Sequence, residues 1–133
     1  MTQFTVRDGI ARNDGAVMRR RLTLQEHGAI ELLTGLTLVA AAFVLGFGPG
    51  ALVASLTAGV LLAGLGLSDG MSISAHMAAD TVVAAVLVGI ATALAASGDG
   101  LAAAVLAAAA ATELALTDGT RWTRRSRPAS RAT

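Results

Sequence analysis

The sequence predicts an all-α membrane protein: four transmembrane helices arranged as two tandem parallel-repeat helical hairpins. Three observations carry that prediction. Of 133 residues, 54% are hydrophobic and only 14% charged, with a mean hydropathy of +0.66. From Leu32 to Ser68, 37 consecutive residues contain no Asp, Glu, Lys or Arg. A soluble domain of this size leaves much of its surface wet and could not hide such a stretch. Finally, the chain repeats itself at a shift of 49 residues. His27–Gly70 lies over His76–Gly119 without a gap, with 13 of 44 paired positions identical. Ala and Leu inflate such a score, but the rarer matches stay in register: His27 on His76, Glu31 on Asp80, and Asp69-Gly70 on Asp118-Gly119.

Residues 1–22 read as a polar cytoplasmic arm of mixed charge with no helical or alternating period. Lacking an apolar core segment, the arm does not read as a secretory signal peptide. The membrane domain is expected over 23–119, with repeats 27–70 and 76–119. Thr23-Leu-Gln-Glu26 forms a capping box, in which hydroxyl and carboxylate satisfy orphan amides, and starts helix one at about 24–47. Gly46-Phe-Gly-Pro-Gly50 ends it, and helix two follows over 51–67, short for a span. Ser68-Asp-Gly-Met makes the central turn, and Ser72 or Ser74 caps helix three, 74–96. Ser97-Gly-Asp-Gly100 turns the chain into helix four, 101–117. Its run of alanines is only marginally favourable in lipid, so a helix packed by its neighbours is expected there. Small residues let helix backbones approach closely in a bilayer, and Ala54/Ala58 and Gly59/Ala63 are spaced for it.

Residues 120–133 form an Arg-rich cytoplasmic tail. The chain has no Lys, and all ten Arg lie outside residues 22–120. Between Leu22 and Asp118 the formal charges are seven acids: Glu26, Glu31, Asp69, Asp80, Asp99, Glu113 and Asp118. Basic ends favour the cytoplasm, so four spans with both termini inside is the consistent topology. The Arg tail reads as a topology signal and an anionic-lipid contact rather than a nucleic-acid site. Without cysteine, disulfides and thiolate ligands are excluded. Trp122 among Arg121, Arg124 and Arg125 reads as an interfacial anchor, and Met18, Met71 and Met77 as interfacial packing.

Chemistry concentrates at one depth. His27 with Glu31, and His76 with Asp80, are four residues apart and share a helix face. Glu31 and Asp80 lie one turn inside helices one and three; Glu113 lies about one turn inside the same end of helix four. Ionisable groups within spans are costly and mark function by default. Glu31 and Asp80 sit near helix N-termini, where the dipole supports negative charge, whereas Glu113 sits near a C-terminus, where it does not. Glu113 is therefore expected to be neutral or paired with His27, His76 or Arg121; the repeat places Gly64 opposite it. The commonest use of such acids is to snorkel to the interface and pair with flanking Arg. The functional reading is a proton or cation relay through Glu31, Asp80, Glu113, His27 and His76. A metal site ranks third, because Glu-x-x-His is absent and the pairs lie at the rim. No catalytic, cofactor or metal residue is assigned, and no enzyme motif is found.

The segment Glu31-Leu-Leu-Thr-Gly-Leu-Thr-Leu-Val-Ala-Ala-Ala-Phe-Val-Leu-Gly-Phe47 resembles the first helix of SPW-repeat membrane proteins, small bacterial two-helix repeats. Gly35 matches an early glycine, Phe43–Phe47 the segment after the motif, and Gly59-Val-Leu-Leu part of the second helix. Ala41-Ala42 stand where that family has Ser-Pro. The resemblance implies a membrane module and no activity. The resulting expectation is a multi-pass protein of the bacterial inner membrane with a structural or accessory role, packing against itself or a membrane partner within the lipid bilayer. The alternative is a small proton- or cation-coupled transporter.

Overall fold

A computed structural model describes residues 22–120 and Trp122; residues 1–21, 121 and 123–133, all ten arginines among them, lie outside the described residues. The chain folds into α1 (Leu24–Val44), α2 (Pro49–Gly66), α3 (Ile73–Ala96) and α4 (Gly100–Gly119). Each is long and apolar enough to cross a membrane, so this is a multi-pass helical membrane protein. Among the described residues there is no strand, only an isolated bridge between Leu22 and Thr120.

Each helix begins and ends for a local reason. Thr23 and Glu26 close the expected capping box on α1. α1 stops at Val44 rather than Phe47. Gly46 takes a left-handed φ of 64°, and the Phe47 amide turns back to the Ala42 carbonyl, a Schellman stop. Pro49 is not a breaker but the first residue of α2, where its missing N–H costs nothing. Ser72, rather than Ser74, caps α3 through the Ala75 amide. Gly98, at φ 89°, ends α3 with a second Schellman stop, and Asp99 caps α4 through the Ala102 amide. α4 runs on to Gly119, so Asp118-Gly119 belongs to the helix instead of a turn.

Contacts concentrate within the hairpins, α1 on α2 and α3 on α4. In hairpin one, glycines set the approach. A Cβ on Gly35 would run into the Gly59 carbonyl and the Ala63 amide, and one on Gly66 into the Gly28 carbonyl. Backbone-to-backbone packing of this kind replaces the hydrophobic drive that lipid removes. α4 is the most enclosed helix, 39% buried over its apolar window against 22–28% for the others. Where the hairpins meet, Leu38, Leu62, Leu87 and Leu106 fill the middle with Ala58, Ala91, Ala109 and Ala110.

The buried faces show how the two halves correspond. On α1 they are His27, Glu31, Gly35, Leu38 and Ala42; on α3 they are His76, Asp80, Ala84, Leu87 and Ala91, each 49 positions on. On α2 the buried residues Ala51, Ser55, Ala58, Gly59 and Leu62 align with Ala102, Leu106, Ala109, Ala110 and Glu113 of α4 at a spacing of 51. The extra two residues are the three by which α3 exceeds α1, 24 residues against 21, less the one by which the turn after α3 is shorter than the turn after α1. By burial, the counterpart of Glu113 is therefore Leu62, whereas the ungapped sequence shift pairs it with Gly64.

Candidate functional site

The polar interior lies at the end of the bundle where α1 and α3 begin and α4 finishes. His27, Glu31 and Asp80 are wholly enclosed and His76 nearly so, at 7% exposure. The two His–acid pairs do not stay on their own helices. His27 Nε2 lies 3.4 Å from Glu31 Oε1 on α1 and 3.2 Å from Asp80 Oδ2 on α3. His76 Nε2 lies 3.2 Å from Glu31 Oε2 and 3.7 Å from Asp80 Oδ1. Each carboxylate thus faces both imidazoles, one oxygen to each, and each imidazole faces both carboxylates. Sequence spacing predicts the two pairs on their own helices; it does not predict the two contacts across hairpins.

The outer ring nitrogens are held by hydroxyls. The Thr120 hydroxyl donates to the Leu116 carbonyl at 2.7 Å, so it meets His27 Nδ1, also at 2.7 Å, as an acceptor. A proton on Nδ1 fits that arrangement, and Nε2 is turned inward toward the carboxylates. His76 is held in the same sense. The Ser68 hydroxyl donates to the Leu65 carbonyl at 2.6 Å and lies 3.5 Å from His76 Nδ1. Each histidine of one hairpin is therefore oriented by a hydroxyl that follows the second helix of the other.

Trp122 covers the group. Its ring centroid lies 5.1 Å from that of His27 and 6.1 Å from that of His76, and its indole N–H donates to the Thr117 carbonyl at 3.1 Å. Trp122 is half-buried against the imidazoles. The Leu22 amide bonds the Gly119 carbonyl at 3.3 Å and draws the start of the bundle to its finish beside the cluster.

Several buried polar atoms have no hydrogen-bond partner among the described residues: His27 Nε2, Glu31 Oε1, both Asp80 oxygens and both Glu113 oxygens. Glu113 is fully buried and close enough to Glu31, Asp80 and His27 to feel their charges. All five residues singled out from the sequence thus lie in one neighbourhood, four in mutual contact and Glu113 beside them. Glu31, Asp80 and Glu113 are enclosed rather than snorkelling, and all ten arginines lie outside the described residues. Missing from the sequence reading were Ser68, Thr120 and the covering role of Trp122.

Two imidazole nitrogens and two carboxylates with donor atoms within 4.8 Å of one another form a set able to hold a metal ion. A cleft of about 520 Å³, bordered by Gln25, Gly28, Ser68, Asp69 and Met71, reaches His76 from the same end of the bundle. Comparison with models of known families, with curated proteins and with solved structures finds no match.

Proposed function

We propose that this is a small accessory protein of the bacterial inner membrane, with both termini cytoplasmic, that holds positive charge at its cytoplasmic rim between two clasped hairpins. One observation carries the reading. Two inward Nε2 atoms and two carboxylates converge in a closed space, and lone pairs facing carboxylates repel unless a cation or protons lie between them. The same residues bridge α1 and α3, so whatever balances their charge also joins the hairpins. The resemblance to SPW-repeat modules belongs to this reading and rests on the sequence.

Transport across the bilayer has less support. Beyond the cluster the interior is leucine and alanine, and Ser55 is the remaining buried polar side chain among the described residues. Its hydroxyl is occupied by the Leu38 carbonyl at 2.9 Å. An accessory role through helix packing is favoured instead by the apolar, alanine-lined outer groove of α3 and α4 around Ala95, Ala103, Ala107 and Ala111.

Charge compensation tests the reading. His27→Gln/His76→Gln leaves two buried carboxylates facing neutral amides and should cost about 3–5 kcal/mol. Adding Glu31→Gln/Asp80→Asn should return most of that stability, read as the thermal midpoint in detergent. A quadruple variant no more stable than the double would overturn the charge-holding centre. Proteoliposomes should show no cation or proton flux above empty vesicles; flux abolished by Asp80→Asn and Glu113→Gln would restore the transporter.

A further inference from the structure

We propose that His27, Glu31, His76 and Asp80 form a mononuclear site for a divalent first-row transition-metal ion of the zinc class. The inference rests on the charge-holding reading above and names the cation.

The donor set selects the class. Two nitrogens and two carboxylates suit borderline ions such as Zn²⁺, Co²⁺ and Fe²⁺. Calcium and magnesium take oxygen shells, and copper(I) prefers sulfur, which this cluster does not offer.

The geometry agrees. Metal–ligand bonds of about 2.1 Å in a tetrahedron put neighbouring donors about 3.4 Å apart. The nearest nitrogen–oxygen separations between imidazoles and carboxylates are 3.2, 3.2, 3.4 and 3.7 Å, each to a different carboxylate oxygen, and one donor atom from each of the four residues lies within 4.8 Å of the others, so an ion would draw the donors inward. Direct imidazolium–carboxylate bonds would be shorter, about 2.7–2.9 Å, and each N–H would choose one oxygen. Here His27 Nε2 lies between two oxygens and bonds neither, while His76 Nε2 is 3.2 Å from Glu31 Oε2 and 3.7 Å from Asp80 Oδ1.

The surroundings of the donors point the same way. A histidine that binds metal through Nε2 gives its Nδ1 proton to a fixed acceptor, which sets the tautomer and the ring direction. Thr120 does this for His27 and Ser68 for His76, each hydroxyl having spent its own proton on a helix-terminal carbonyl. One divalent ion also balances Glu31 and Asp80 without residual charge, which burial in a membrane bundle demands. Glu113 supplies an independent indication: a fully buried carboxylate with no hydrogen-bond partner for either oxygen among the described residues. The cleft at His76, bordered by Asp69, gives a route in from the rim.

The test uses the full chain, purified in mild detergent without a histidine tag, stripped with chelator and dialysed against Zn²⁺, Co²⁺, Ca²⁺ or Mg²⁺. Elemental analysis should find one Zn²⁺ or Co²⁺ per chain and no Ca²⁺ or Mg²⁺, and bound Co²⁺ should show the visible bands of a low-coordinate nitrogen–oxygen site. His76→Gln should abolish retention. Because that variant removes a buried group, Thr120→Val provides a second measurement: helix content by circular dichroism retained, Zn²⁺ affinity down roughly 10–100-fold. Zn²⁺ retention equal to that of His27→Gln/His76→Gln, Ca²⁺ or Mg²⁺ bound as well as Zn²⁺, or an affinity indifferent to both His76→Gln and Thr120→Val would overturn the site. If no metal binds while charge compensation holds, protons balance the carboxylates and only the metal assignment falls.

Discussion

A single hydroxyl helps to set the direction of this centre. Thr120 lies 93 residues from His27, yet it holds Nδ1 at 2.7 Å while Nε2 faces Glu31 and Asp80. The His-x-x-x-acid spacing reveals the four inner groups, because residues one helical turn apart share a face. It does not reveal Thr120, Ser68 or the covering indole, because those partners arrive across the hairpin boundary and carry no periodic signal. Glu113 stands apart even from these. Leu62 occupies its place in the burial pattern of the other hairpin, so an apolar side chain already fits the equivalent site. Glu113→Leu is expected to leave the metal-free stability, read from the thermal midpoint, unchanged or raise it by up to about 4 kcal/mol, as with other buried charges replaced by apolar groups. A loss above about 2 kcal/mol would show that the carboxylate has a partner whose removal is costly.

At the scale of helices, the start signals are visible in the sequence and the stops less so. The capping box at Thr23 and the serine before α3 are chemical signatures, but a Schellman stop depends on which glycine takes positive φ, and Gly46, Gly48 and Gly50 all offer themselves. Glycines inside the helices divide into two kinds that look alike in the sequence. Gly59 lies against the Gly35 carbonyl and Val39, whereas a Cβ on Gly64 would meet nothing within 4 Å. Gly59→Val should therefore force α1 and α2 apart and cost about 1–3 kcal/mol or more. Gly64→Ala should be neutral or stabilise by up to about 1 kcal/mol through helix propensity. Thermal midpoints of the two variants check this, and equal losses would contradict the crossing geometry. The ungapped shift of 49 residues also conceals the displaced register of α2 and α4, because their abundant alanines match at many offsets.

For the whole molecule, hydropathy and the long uncharged stretch suffice to read four membrane helices. Orientation rests on arginines that flank the bundle. Reporter fusions after Gly50 and Gly100 should be external, and those after Gly70 and Arg125 cytoplasmic; an external tail fusion would refute the proposed orientation. The assembly of hairpins was legible from repetition, but not the exchange of ligands between them, since repetition alone is equally compatible with two independent hairpins. The clasp makes one centre from two halves, neither of which carries a complete set of donors.

The bridge from Leu22 to Gly119 has a consequence for how the fold is encoded. It brings the entrance of the first helix beside the exit of the last, so the bundle is closed into a ring by contacts even though the polypeptide is open. With matching buried faces on α1 and α3, either hairpin can stand first. A circular permutation joined across that bridge and opened in the turn before Met71 would present the same donors to the same centre, which makes hairpin order an accident of the gene rather than a requirement of the architecture.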